Sequence, residues 1–153
     1  SRLPAWEDTA YEVQACSMVA RDTDSLADFY ITIFGCEDRQ PRRTMSGELV
    51  SKGNGVPNAE IYAAWLILPG VDAPFLEIFQ YKDFHDRPTP EVNQPGYGHI
   101  SFEVEDIRAT CAAVIEAGGM SLGEITDVGT PEAPFVYVYV RDPEGNAVEL
   151  EQR

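Results

Sequence analysis

The chain has 153 residues and a mass of 17.0 kDa, the size of one ordinary domain or of two small halves sharing a core. Hydrophobic residues make up 44% and charged residues 24%, which excludes a disordered chain. The 26 Asp and Glu against 11 Lys and Arg give a formal charge of −15, a field that repels nucleic acid and anionic membrane surfaces, so neither is expected as a partner.

In chain order, residues 1–10 read as a tail, with no basic start followed by an apolar run, so no signal peptide is expected. Residues 16–35 (CSMVARDTDSLADFYITIFG) begin as an alternating strand, pass through Asp22, continue as an amphipathic helix and stop at Gly35. A further strand is expected near 42–50, and 51–59 read as a loop confined to the first half, an insertion of the kind that borders binding sites. Residues 60–68 (EIYAAWLIL) and 75–81 (FLEIFQY) read as strands joined by the turn Gly70-Val71-Asp72-Ala73-Pro74. The longest apolar run, Ala63–Leu68, is far too short to span a bilayer. Residues 82–96 form a linker marked by Pro88, Pro90 and Pro95.

The pattern then repeats. Residues 100–119 (ISFEVEDIRATCAAVIEAGG) run from strand through Asp106 and helix to Gly119, and Asp22 to Gly35 and Asp106 to Gly119 are both 13 residues. Strands near 120–125, 134–140 and 147–151 follow, the last two joined by Arg141-Asp142-Pro143-Glu144-Gly145-Asn146. Each half reads strand, helix, strand, strand, strand. The expected fold is α+β, two βαβββ modules at 11–81 and 97–153 forming an eight-stranded cleft.

The two-residue period of a strand sorts the polar side chains. Ile100, Phe102 and Val104 share the helix-covered face, leaving His99, Ser101 and Glu103 opposite; Glu77 and Glu149 lie on the same non-helix faces of their strands. The repeat makes Glu77 and Glu149 equivalent and pairs His99 with Ala15, each 7 residues before its Asp. If the sheets curve around one hollow, Glu77, His99 and Glu149 converge there. Two carboxylates and an imidazole suit a divalent ion such as Zn, Ni, Fe, Mn or Co, and a ligating Glu can also accept a proton. Ala15 cannot ligate, so the set is incomplete; Gln14 through a bulge, Glu12 or water are the candidates for the fourth position. Phe75 and Phe79 beside Glu77, and Tyr137 and Tyr139 on one face of their strand, are candidate walls for a small, partly apolar ligand.

Other residues carry blander readings. His85 lies in the linker beside Asp83 and Asp86, where a solvated role fits. Cys16, Cys36 and Cys111 are odd in number and lack metal spacing, which suggests a reduced, cytoplasmic protein, with Cys111 a small buried thiol. Arg42, Arg43 and Lys52 are the nearest basic group to the cleft, and no cluster suited to coenzyme A is evident.

Four stretches resemble the vicinal oxygen chelate superfamily, which includes glyoxalase I, bleomycin-resistance proteins, methylmalonyl-CoA epimerase and extradiol dioxygenases. They are Val19–Tyr30, Phe75–Phe79, Gly96–Asp106 and, most specific, Arg141–Leu150. The resemblance implies a U-shaped cleft with metal ligands at positions matching Glu77, His99 and Glu149, and a His or Gln where Ala15 stands. The Glu-His-Glu remainder is similar to glyoxalase I and argues against an extradiol dioxygenase, which uses two His. It implies a metal-dependent lyase or isomerase on a small carbonyl-containing metabolite, with Glu149 or Glu77 moving the proton, and a homodimer. The alternatives are a metal-free small-molecule binder like the drug-resistance members, and metal-free chemistry with Glu149 as base.

Overall fold

The computed structural model describes residues 11–153, and the tail read at 1–10 lies outside them. The first half runs β1 (Ala15–Val19), α1 (Thr23–Phe34), β2 (Glu37–Asp38), β3 (Arg43–Ser46), α2 (Glu48–Asn54), β4 (Glu60–Ile67) and β5 (Phe75–Tyr81). The second runs β6 (His99–Glu103), α3 (Ile107–Glu116), β7 (Met120–Ser121), β8 (Thr126–Asp127), β9 (Val136–Arg141) and β10 (Ala147–Gln152). Each half forms a five-stranded sheet, in the orders β1-β5-β4-β2 and β6-β10-β9-β7, with β3 added beside β4 and β8 beside β9. β1 pairs in parallel with β5, and β6 with β10; the remaining pairs are antiparallel. This is the α+β architecture of two repeated modules that the duplicated pattern predicts.

The expected eight strands become ten because the outer strand of each sheet is interrupted, as β2 and β3 in one and β7 and β8 in the other. The strand expected near 42–50 ends at Ser46, and α2 takes up most of what reads as a loop. Gly47 and Gly55, both at positive φ, bracket this helix. Asp22 caps α1 by accepting from the Ser25 backbone N–H at 3.0 Å, and Asp106 caps α3 through Ala109 N–H at 3.0 Å. Gly35 ends α1 in the left-handed region at φ 73°. α3 stops earlier than its repeat partner, at Glu116, and Gly118 rather than Gly119 takes the positive φ, 99°. Gly119 has a different reason to be glycine: a Cβ there would lie 2.4 Å from the Arg141 carbonyl oxygen.

One apolar core joins the halves. Leu26, Phe29 and Tyr30 of α1, Leu76 and Ile78 of β5, Phe102 of β6, Val114 of α3, and Val148 and Leu150 of β10 all belong to it. The helix-bearing faces of both sheets therefore drain into a shared interior. Phe34 stacks on Phe102 with ring centres 4.0 Å apart. Buried Asp142 accepts from Tyr30 Oη at 2.7 Å, Asn146 Nδ2 at 2.9 Å, and the backbone N–H groups of Glu144 (2.9 Å) and Asn146 (3.0 Å). Burial and this neighbouring carboxylate hold the Tyr30 hydroxyl well above its usual range. Asp142→Ala strands all four donors at the junction and is expected to cost about 3 kcal/mol, read as a lowered urea midpoint.

Candidate metal centre

The two sheets present matching non-helix faces, set by strand register. On the first, Ala15 lies beside Phe75, Ser17 beside Glu77 and Val19 beside Phe79. Across β4 and β5, Trp65 faces Glu77 and Ala63 faces Phe79. On the second, Ala147 lies beside His99 and Glu149 beside Ser101, with Tyr139 opposite Glu149 and Tyr137 opposite Glu151. Ala15 and His99, and Glu77 and Glu149, thus hold equivalent places in the two ladders. Gln14 precedes β1; its exposed amide donates to Glu12 at 3.2 Å.

Within the second half the polar groups meet. His99 Nε2 is 3.5 Å from Glu149 Oε1, the two side chains being 30% and 14% exposed. Ser101 Oγ donates to Glu149 Oε2 at 3.3 Å, and the His99 ring centre lies 4.7 Å from that of Tyr139. Burial, reinforced by Glu151 close by, raises the Glu149 carboxyl above its ordinary range, with His99 opposing. Burial and the Glu149 charge together raise Tyr139. Glu151 is held low by Glu149 and by Arg153, whose Nη1 is 2.7 Å from it.

Glu77 stands apart. Among the described residues no three His, Cys, Asp or Glu side chains are close enough together to hold a metal ion, so one chain does not gather Glu77 with His99 and Glu149. The reason lies in the docking: the halves meet through their helix-bearing faces and the Asp142 turn, which orients the modules by their shared core. Glu77 is instead set among Phe75, Phe79 and Trp65, on the side of the sheet where Ala59, Ile61, Ala63 and Trp65 form a second small core. Burial raises its carboxyl as well. Tyr137 and Tyr139 border a shallow concavity of about 290 Å³ with Leu122, Gly123, Glu124 and Thr126.

The chemistry of the donors fits a borderline divalent ion in part. His99 and Glu149 offer an imidazole nitrogen and a carboxylate oxygen from neighbouring strands, and a further carboxylate would have to come from elsewhere. Trp65 and Glu151 escape a sequence reading of the site. Glu151 follows from Glu149 by the two-residue period, whereas Trp65 joins Glu77 only through an antiparallel register with no sequence signature. The three cysteines are free; Cys36 rather than Cys111 is the fully buried one, and burial pushes its thiol up to about 11. His85 is exposed, consistent with its solvated reading. No helix among the described residues is long and apolar enough to cross a membrane.

Comparison with known proteins completes the picture. Residues 12–150 match the model of the Glyoxalase/Bleomycin resistance protein/Dioxygenase superfamily. A stretch of 58 residues is 43% identical to a probable lactoylglutathione lyase of Vibrio cholerae, spanning 37% of this chain and 39% of that protein. A glyoxalase family protein from Bacillus cereus superposes with a TM-score of 0.82 at 21% identity, over 97% of this chain and 98% of that one. A fosfomycin resistance protein from Listeria monocytogenes, solved with Mn(II) and sulfate, superposes at a TM-score of 0.54 and 13% identity, over 95% and 93% of the two chains.

Proposed function

Because the chain belongs to the Glyoxalase/Bleomycin resistance protein/Dioxygenase superfamily, we propose that it is a divalent-metal-dependent lyase or isomerase of a small carbonyl-containing metabolite, working as a homodimer. The observation that carries this reading is the division of donors: His99 and Glu149 adjoin on one sheet, and Glu77 holds the repeat-equivalent position on the other. In the dimer, Glu77 of one copy faces His99 and Glu149 of the second, so each cleft draws on two chains. Two features support this. β1 and β6 are edge strands beside the half-sites, and Val19 on β1 is 60% exposed.

His99, Glu149 and Glu77 would hold Zn, Ni, Fe, Mn or Co. Such an ion supplies positive charge that acidifies a C–H next to a carbonyl. The chain's own residues do the rest. Glu149 accepts a proton, being a carboxylate held in a partly dry setting beside Ser101. The same carboxyl then returns it to the neighbouring carbon, with Glu77 from the opposite sheet the alternative group for this transfer. Phe75, Phe79, Tyr137 and Tyr139 wall the substrate and exclude water. The identity to a probable lactoylglutathione lyase supports an adduct of a 2-oxoaldehyde with glutathione as the first substrate to try. The free Cys16, Cys36 and Cys111 support a reducing, cytoplasmic setting.

Protein purified without chelator is expected to carry, or to take up on titration, one of these ions, and to turn over the methylglyoxal–glutathione hemithioacetal. No uptake of Zn, Ni, Mn, Fe or Co ends the reading. Ala15→His restores the missing donor and is expected to tighten metal binding on the order of 100-fold, a quarter share of the roughly 10–16 kcal/mol typical of four-ligand zinc sites. One observation favours a second reading, a non-catalytic binder: Ala15 leaves the donor set short. Ligand binding without metal uptake or turnover selects it.

A further inference from the structure

The first sheet carries two cations that neither the fold nor the metal reading uses. Arg39 and Arg43 lie on its non-helix face, at the edge beyond Trp65. The Arg39 backbone N–H donates to the Trp65 carbonyl at 2.8 Å, and Arg43 sits opposite Ala63. The Arg39 guanidinium lies 4.5 Å from the ring centre of Phe75, and that of Arg43 5.4 Å from Trp65. Trp65 in turn meets Phe79 edge-on at 6.2 Å. The same rings flank Glu77.

We propose that Arg39 and Arg43 form an anion-binding subsite on the Glu77 face, so that the ligand is an organic anion: a carboxylate carried on a flat, apolar body. This deepens the reading above and rests on that face being part of the ligand cleft. Three observations carry it. First, a guanidinium stacked on an aromatic ring keeps its in-plane N–H groups free, the geometry that grips a carboxylate with two parallel hydrogen bonds. Second, among the described residues neither guanidinium has an ion pair or a side-chain hydrogen bond, in a chain of net charge −15. Among the described residues Arg87 and Arg108 are likewise unpaired but lie over no aromatic ring, whereas Arg42 is tied to Asp24, Asp28 and Asp38, Arg21 to Asp86, Arg153 to Glu151 and Arg141 to the Gly145 and Pro90 carbonyls. Third, the repeat does not explain the pair. The residues in the same register on the second sheet are Leu122, whose N–H donates to Tyr139 O at 3.1 Å, and Thr126, opposite Tyr137. On the second wall Arg153 is paired with Glu151 and Arg141 with the Gly145 and Pro90 carbonyls, so unpaired positive charge marks the first wall, and a ligand with its anionic group there and its carbonyl toward Glu77 has a fixed direction in the cleft.

The test is calorimetric titration with phenylglyoxylate, benzoate and methyl phenylglyoxylate, all in excess EDTA so that metal does not enter. The acids are expected to bind more tightly than the ester. Arg39→Gln and Arg43→Gln each weaken the acids by about tenfold or more and leave the ester unchanged; Arg43→Lys loses less than Arg43→Gln, and Arg108→Gln on α3 alters neither. Equal affinity for acid and ester, no dependence on either arginine, or no binding of any acid at about 10 mM overturns the proposal. Arginine dependence without metal uptake leaves this subsite standing and removes the metal reading; metal uptake without arginine dependence does the reverse.

Discussion

Glu149→Gln is expected to lower turnover by about 100- to 10,000-fold while the unfolding midpoint stays within error of the parent. The substitution keeps shape and removes a charge. Gln can still accept from Ser101 Oγ, which reaches Glu149 Oε2 at 3.3 Å, so the local packing survives. What goes is the proton acceptor and a charged donor 3.5 Å from His99 Nε2. Glu151→Gln is the matched control. Glu151 shares the strand face and is paired with Arg153, so its loss is expected to change turnover only a few-fold. Equal losses at both positions would mean that the face acts through its summed negative charge and not through one base. Steady-state rates with a fixed, saturating metal concentration separate these outcomes, because a defect in metal affinity alone is then masked.

The fold was legible because its signals are local and occur twice. The capping aspartates Asp22 and Asp106 announce both long helices, and β5 and β10 alternate cleanly enough to assign the faces of Glu77 and Glu149. The illegible parts depend on pairing across the chain. α2 has only 7 residues, too few for a periodic pattern to stand out, and buries no residue fully. The edge strands β2, β7 and β8 are two residues each and owe their existence to β4 and β9. Most consequential is the docking of the halves. A repeat predicts that His99, Glu149, Glu77 and Ala15 occupy equivalent positions; it says nothing of whether equivalent faces meet within one chain or between two. Within one chain the halves are held together by Tyr30, Phe34, Phe102 and Asp142, none of which belongs to the proposed site. The cation–aromatic pairs of Arg39 and Arg43 are hidden for the same reason, since Phe75 and Trp65 are remote from them in sequence.

Mixing two inactive chains tests that choice directly. Glu77→Gln alone damages the first-sheet half of every cleft, and His99→Ala alone damages the second-sheet half, so each homodimer is expected to be inactive. If clefts are shared, a mixed dimer holds one cleft with both defects and one with neither. Random exchange after denaturation and refolding makes half of the dimers mixed, so about a quarter of all clefts are intact and activity returns to about a quarter of the parent level. If the cleft were closed within one chain, every cleft in the mixture would keep a defect and activity would stay at the floor. Metal uptake follows the same arithmetic and needs no substrate. The single-chain geometry already favours the shared outcome, because the same chain that brings His99 within 3.5 Å of Glu149 leaves Glu77 outside any cluster of metal-binding side chains among the described residues. A rise from the floor to a quarter on mixing assigns Glu77 and His99 to opposite chains; a flat result with both parent variants inactive would place both residues in one chain's cleft and overturn the shared dimer.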